Sequence, residues 1–285
     1  MRRTLIGLAL GLVLPLGIAH ADVASDLKAG QPMQTVLTNA LKNNVSIEAA
    51  LREVLKASPD QAYAAISAAL QLSPDQAANI VSAALSREYN LNAPQVVVAA
   101  LQGAPEKAGV IVPTAIVKSA SFYTVPIVQR ALADGVDGSK FVPQAMRTSP
   151  RQSATILSQA LRSASQQTRA IMEAVIADQP DKAVEYVKIA LDAKAPAGDV
   201  LAAAFKVAPR QADAIAAAAS EKGVPTQTIA AAAGAAGLQV AGYNAPGANS
   251  GTSQARPSGM TLQPNGLSGS GSGGGGGGGS PASPS

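Results

Sequence analysis

The chain has 285 residues, with 22 lysines and arginines, 18 aspartates and glutamates, a single histidine, and neither cysteine nor tryptophan. Without cysteine, disulfides, thiol nucleophiles and cysteine metal sites are excluded. The nearly balanced charge argues against bulk electrostatic capture of nucleic acid or of an anionic membrane.

The chain opens with the features of a secretory signal peptide. Arg2 and Arg3 precede an apolar run from Leu5 to Ala19, and Ala19-His20-Ala21 matches an A-x-A cleavage site. We therefore predict a signal peptide over residues 1–21 and an exported mature chain, in the periplasm or outside the cell.

Removal of the signal changes the chemistry of the mature chain. His20, the only histidine, is lost, and the loss of Arg2 and Arg3 from 22 basic residues leaves 20 against 18 acidic ones. Imidazole catalysis is thereby excluded. We expect the mature chain to have no catalytic, cofactor-binding or metal-binding residues and no nucleic-acid partner. Because no remaining apolar run reaches about 18 residues, we also expect no transmembrane segment.

A recurring S-P-x-Q pattern predicts helix starts along the chain, at Ser58-Pro59-Asp60-Gln61, Ser73-Pro74-Asp75-Gln76 and Ser149-Pro150-Arg151-Gln152. Serine is a favoured N-cap, proline suits the first helical position, and glutamine three residues after the cap can complete a capping box. Looser copies begin with Ala104-Pro105, Gln179-Pro180 and Ala208-Pro209, and Ser165 begins a copy without proline. The pattern recurs at intervals close to multiples of about 15 residues, which suits one helix and a short turn.

The segments after these starts have the apolar spacing of helices. After Ser73 the apolar residues are Ala77, Ile80, Val81 and Ala84, at i, i+3, i+4 and i+7 positions. The run Val96-Val97-Val98 resembles a strand locally, but its place in the rhythm favours a helix. Over 110–142, where Pro113 and Pro126 interrupt the pattern, we expect shorter, kinked or offset helices.

These elements predict an all-α fold. We expect helical hairpins of about 30 residues stacked as a solenoid-like or compact helical-repeat array over residues 22–239. From residue 240 to 285 the composition changes to glycine, serine, proline and asparagine, with Arg256 as the only charged side chain. This composition predicts a disordered tail.

The remaining candidates for chemistry favour ordinary structural roles. Ser25 and Lys28 match S-x-x-K, but no K-T-G or S-D-N partner motif accompanies them. Asp134 and Asp137 lie in a glycine-containing turn that lacks the further acidic residues of a calcium loop. The other acidic residues are scattered, mostly near helix starts, where they complement the helix dipole.

Binding surfaces are therefore the better candidates for function. The adjacent aromatic residues Phe122 and Tyr123 lie in the irregular stretch, and a basic cluster follows in the chain: Arg147, Arg151, Arg162 and Arg169. If the helices there stack, these arginines form a patch for an acidic partner.

The sequence leads to two functional hypotheses. The first is a non-enzymatic scaffold or adaptor of the cell envelope that binds an unknown protein partner or itself through its helical repeats. The second is a secreted structural component, of a matrix or fibre, or the assembly factor of one. The alanine- and glutamine-rich sequence and glycine-rich tail suit such homotypic association.

Overall fold

The structure is a computed structural model that describes residues 23–243, and this part of the chain is all-α. The predicted signal peptide, 1–21, lies outside the described residues, as does 244–285 of the predicted tail. Fifteen α-helices and eight short 3-10 turns make up the described part, which has no β-strand.

The α-helices are short and follow one another closely. They are α1 Val23–Lys28, α2 Met33–Lys42, α3 Ile47–Ala57, α4 Ala62–Leu72, α5 Ala77–Ala84, α6 Ala93–Gly103, α7 Ala108–Lys118, α8 Thr124–Ala133, α9 Gly138–Thr148, α10 Ser153–Ser163, α11 Thr168–Asp178, α12 Ala183–Asp192, α13 Ala197–Val207, α14 Ala212–Glu221 and α15 Thr226–Ala235.

The S-P-x-Q segments form tight corners between helices. Ser58 ends α3 by donating its backbone N–H to Val54 O, and Pro59–Gln61 then forms a 3-10 turn that leads directly into α4. Because proline disfavours the α conformation in the residue before it, Ser58 leaves the helix at ψ 73°. Proline is thus the first residue of a helical turn, as predicted, but this turn is a 3-10 turn and the α-helix begins after it.

The predicted serine capping is wrong. No side-chain cap hydrogen bond is made by Ser58, Ser73 or Ser149. In each of these corners the backbone N–H of the glutamine instead donates to the serine carbonyl, as in Gln61 to Ser58 at 3.0 Å. Alanine serves the same role at Ala104 and Ala208, with similar dihedral angles.

A second kind of corner uses a left-handed residue. Asn44, Gly135, Lys194 and Gly223 all have positive φ, and each follows a helix end. At Asn44 the backbone N–H donates to Leu41 O and the next N–H donates to Ala40 O, which is the Schellman pattern. These corners satisfy the last carbonyls of α2, α8, α12 and α14.

The core is a continuous set of alanine, valine, leucine and isoleucine side chains. Each helix contributes a buried stripe, such as Ala62, Ala65, Ile66 and Ala69 in α4. The first residue of most helices is small and buried, so the first turn of these helices can pack closely against neighbouring helices.

The helix pairs in substantial contact lie one or two places apart in the chain. Each helix packs against its second neighbour, as α4 does against α6 and α7 against α9. The odd-numbered helices therefore follow one another side by side, as do the even-numbered ones.

Polar cross-links connect the same near neighbours. Gln167 accepts a hydrogen bond from the backbone N–H of Gly138 at 2.7 Å and donates to Val136 O. Gln152 bonds Thr124 and Gln211 bonds Pro180 O, so the glutamine of the corner pattern reaches about one hairpin back along the chain. Ion pairs have similar separations: Lys107–Asp75, Lys188–Glu221, Lys206–Glu173 and Lys222–Asp192.

The stretch around 110–142 departs from our expectation of shorter helices. Both α7 and α9 have 11 residues, and each contains a proline in its interior, Pro113 and Pro143. The segment around Val96 is the helix α6 and not a strand. Packing against neighbours on two sides overrides local β propensity and tolerates the prolines.

Candidate functional site

A surface groove crosses three successive odd-numbered helices. Its cavity volume is about 710 Å³, and α5, α7 and α9 supply its lining. Along α7 the lining residues Val110, Pro113, Thr114 and Val117 recur at helical spacing, so they form one face. We call this site the α7 groove.

The apolar surface of the α7 groove is unusually exposed for such side chains. Val110 is 43% exposed and Val117 is 54% exposed. On the α5 side the wall is low because Ala78 and Ser82 have short side chains. Exposed apolar side chains that line a groove make it a candidate for an interaction site.

Two prolines set the backbone chemistry of the groove. Pro113 and Pro143 have no N–H, so the carbonyls of Gly109 and Ser139 lack their usual α-helical donors. All four residues line the groove. A β-carbon on Gly109 would lie 2.8 Å from Lys140 O, so α7 and α9 approach closely at this glycine.

The charged groups of the groove are cationic. Lys118, Lys140 and Arg147 line it, and its lining includes no carboxylate. Arg147 pairs with Asp178 at 3.1 Å, whereas neither lysine has an ion-pair partner in the described part of the chain. The two lysines therefore leave the α7 groove with an uncompensated positive charge.

A second cavity of about 420 Å³ adjoins the groove, because Val117 and Lys118 line both. Tyr123 and Ser119 also line it, and the buried Ser119 Oγ has no hydrogen-bond partner. Phe122 is 70% exposed, and its ring centroid lies 4.3 Å from that of Tyr123. Sequence reasoning selected this aromatic pair but missed the neighbouring groove.

The four predicted arginines occupy separate elements. Arg147 lies in α9, Arg151 in the turn Pro150–Gln152, Arg162 in α10 and Arg169 in α11. The hydrogen bonds and ion pairs of the described residues join none of them to another. Arg169 pairs with Glu173 at 3.7 Å, so acidic neighbours partly compensate two of the four.

The carboxylates of the possible calcium turn, Asp134 and Asp137, have structural partners. Asp137 caps α9 by accepting from the Ser139 N–H at 3.0 Å, and Asp134 pairs with Arg130 in α8. No hydrogen bond joins the Ser25 and Lys28 side chains in α1. Among residues 23–243, no three histidine, cysteine, aspartate or glutamate side chains come together as a metal-binding group.

The acidic groups whose pKa is clearly shifted take part in ion pairs between neighbouring elements. The hydrogen bond and positive charge of Lys107 lower the pKa of Asp75 and Asp75 raises the pKa of Lys107. Lys188 in α12 likewise lowers the pKa of Glu221 in α14. Each pair joins elements two helices apart in the chain, so we assign the pairs to stability.

Comparison with protein-family models, curated proteins and solved structures finds no match to this chain. None of the helices in the described part is both long and apolar enough to cross a bilayer. The described residues thus define an all-α protein with a cationic, partly apolar groove.

Proposed function

We propose that this chain is an exported, non-enzymatic helical-repeat protein that acts as a scaffold or adaptor in the cell envelope. In this proposal, hairpins of about 30 residues stack into one array. The confinement of the main contacts to first and second neighbours supports it, and so do cross-links such as Lys188–Glu221 and Gln211–Pro180.

The α7 groove is the observation that carries the binding role. It presents Val110 and Val117 to solvent between two flanking helices, and it adjoins a second cavity that Tyr123 lines. Removing such apolar area from water is worth about 25 cal/mol per Å². A partner that covers the groove therefore gains binding energy without any reactive group on this chain.

Site-specific photo-crosslinking tests the binding role. A photoreactive residue replaces Val117 in the full chain, produced in its native cells, and the matched control replaces the exposed Gln71 in α4. We expect a discrete protein adduct at position 117 and none at position 71. Identical adduct patterns at both positions, or none at either, would refute the groove as a binding site.

Cell fractionation and N-terminal sequencing test the export. We expect the mature chain outside the cytoplasm, beginning at Asp22. An intact Met1 in a cytoplasmic fraction would refute this part of the proposal.

Light scattering on the purified chain separates the two functional hypotheses, since large self-assemblies would favour the structural component over the adaptor.

A further inference from the structure

We propose that the occupant of the α7 groove is an acidic polypeptide segment that also carries apolar side chains, an inference that rests on the proposed function. The groove combines two features in one place: exposed valines and lysines without acidic partners. Each feature matches one part of such a segment.

The charge of the groove selects an acidic segment. Two carboxylates contact lining residues, and neither pairs with a groove lysine: Asp178 pairs with Arg147, and the anionic Asp137 accepts its hydrogen bonds from Ser139. The ammonium groups of Lys118 and Lys140 therefore keep their charge available for a ligand. Complementary charge at the rim of an interface speeds association and rejects partners of the wrong sign.

The apolar surface of the groove selects a polypeptide over a nucleic acid. Pro113 and Pro143 have no N–H, and their rings lie where the α-helical donors to the carbonyls of Gly109 and Ser139 would otherwise be. Between them and Val117 the surface is apolar, with Pro113 and Pro143 in its lining. A nucleic acid would need a longer row of cations to neutralise its phosphates.

The C-terminal part of this same chain is a poor candidate for the occupant. Over residues 244–285 Arg256 is the only charged side chain, so this segment has no carboxylate side chain to offer the two lysines. The inference therefore points to a segment of another protein.

Selection from a library of random dodecapeptides, with the full mature chain as the target, tests the inference. Two variants report on the groove: Val117→Asp removes its apolar surface, and the double variant Lys118→Glu/Lys140→Glu reverses its charge. A matched control, Lys182→Glu/Lys42→Glu, makes the same change in net charge at exposed lysines of α2 and of the turn Pro180–Lys182. Circular dichroism verifies that every variant remains folded.

We expect the selected peptides to combine aspartate or glutamate with leucine, isoleucine, valine or phenylalanine. By fluorescence anisotropy, their affinity should fall about tenfold with the charge reversal at the groove and little with the control. Added salt should weaken binding to the wild-type chain, because exposed charges are screened over about 8 Å at physiological ionic strength.

Other outcomes overturn the inference in distinguishable ways. Peptides that lose binding with Val117→Asp but are neutral or basic would retain the groove as a binding site and refute the acidic occupant. If the groove variant and the control variant lose the same affinity for the peptides, the effect comes from net charge alone, and the acidic occupant is refuted as well. Stronger groove-dependent binding to phosphatidylglycerol vesicles or to single-stranded DNA would assign the groove to another class of ligand. No groove-dependent peptide would refute both the inference and the binding role.

Discussion

Serine acts in two different ways where these helices begin. Ser46 lies in the extended region at ψ 149°, and its Oγ accepts a hydrogen bond from Ala49 N at 3.2 Å. Ser73 precedes a proline at ψ 66°, and its side chain makes no cap hydrogen bond. The corner conformation, which Ala164 also adopts without a following proline, thus decides whether the hydroxyl serves as a cap.

Replacing these two serines by alanine should separate the two roles. Ser46→Ala should lower the free energy of unfolding by about 0.5–2 kcal/mol, because the N-cap bond is lost. Ser73→Ala should change it by less than about 0.5 kcal/mol, as expected for a residue without such a bond. Urea denaturation measures both values, and equal losses would contradict the assignment.

Two helical glycines provide a test of close packing. A β-carbon on Gly103 would lie 2.4 Å from Ser67 O, whereas one on Gly198 meets nothing within 4 Å. Gly103→Ala should cost about 1–3 kcal/mol through overpacking, and Gly198→Ala should be neutral or stabilising by up to about 1 kcal/mol. Thermal unfolding measures both, and a tolerated alanine at 103 would refute the close approach of α4 and α6.

The pH dependence of stability follows from the ion pairs Asp75–Lys107 and Lys188–Glu221. Because each carboxylate has a lowered pKa in the folded state, its contribution is complete above its usual value, 3.8 for Asp75 and 4.5 for Glu221, and is lost as the pH falls through the folded value. The variant Asp75→Asn/Glu221→Gln should therefore lose less stability than wild type below about pH 5. Urea denaturation between pH 6 and 2 measures this, and parallel pH profiles would contradict it.

At the scale of elements, the corner glutamines link each corner to an element about two helices earlier in the chain. The side chain of Gln167 bonds the buried backbone N–H of Gly138, while the adjacent Gln166 is exposed and has no such partner. Gln167→Ala leaves that N–H buried and unsatisfied, which should cost about 1–3 kcal/mol. Gln166→Ala is the matched control and should be nearly neutral. Equal effects in chemical denaturation would show that the cross-link does not stabilise the fold.

The sequence predicted the helices that follow the S-P-x-Q segments and their looser copies, because a local pattern marks their starts. Pro59, Pro74 and Pro150 all mark a turn that leads into a helix, as the proline preference for a first helical position implies. The partner of Gln167 was not predictable, since Gly138 is the first residue of α9 and only tertiary packing brings the two together.

The candidate site was predictable only in part, for a similar reason. Phe122 stood out as an aromatic residue in an irregular stretch, whereas Val110 and Val117 resemble ordinary core residues in sequence. Their exposure depends on which face of α7 meets α5 and α9, and that is settled by packing. Local sequence likewise did not indicate that Asp178 compensates Arg147.

At the scale of the whole molecule, the last helix of the described part has fewer helix neighbours than a helix in the middle. α15 packs against α13 and α14, whereas α9 packs against α7, α10 and α11. Segments with fewer packing contacts open locally at a lower free-energy cost. Backbone amides of α15 should therefore exchange with deuterium faster than those of α9 and α11. Uniform protection measured by mass spectrometry would indicate a single cooperative unit instead.

The glutamine and lysine cross-links also bear on how this protein would respond to mechanical load. Each of them joins only near neighbours, and the main helix contacts have the same short reach. In the stacked array that we propose, a force that pulls the two ends apart would be resisted by a few such links at a time. Such an array should lengthen under load in many small steps rather than in one.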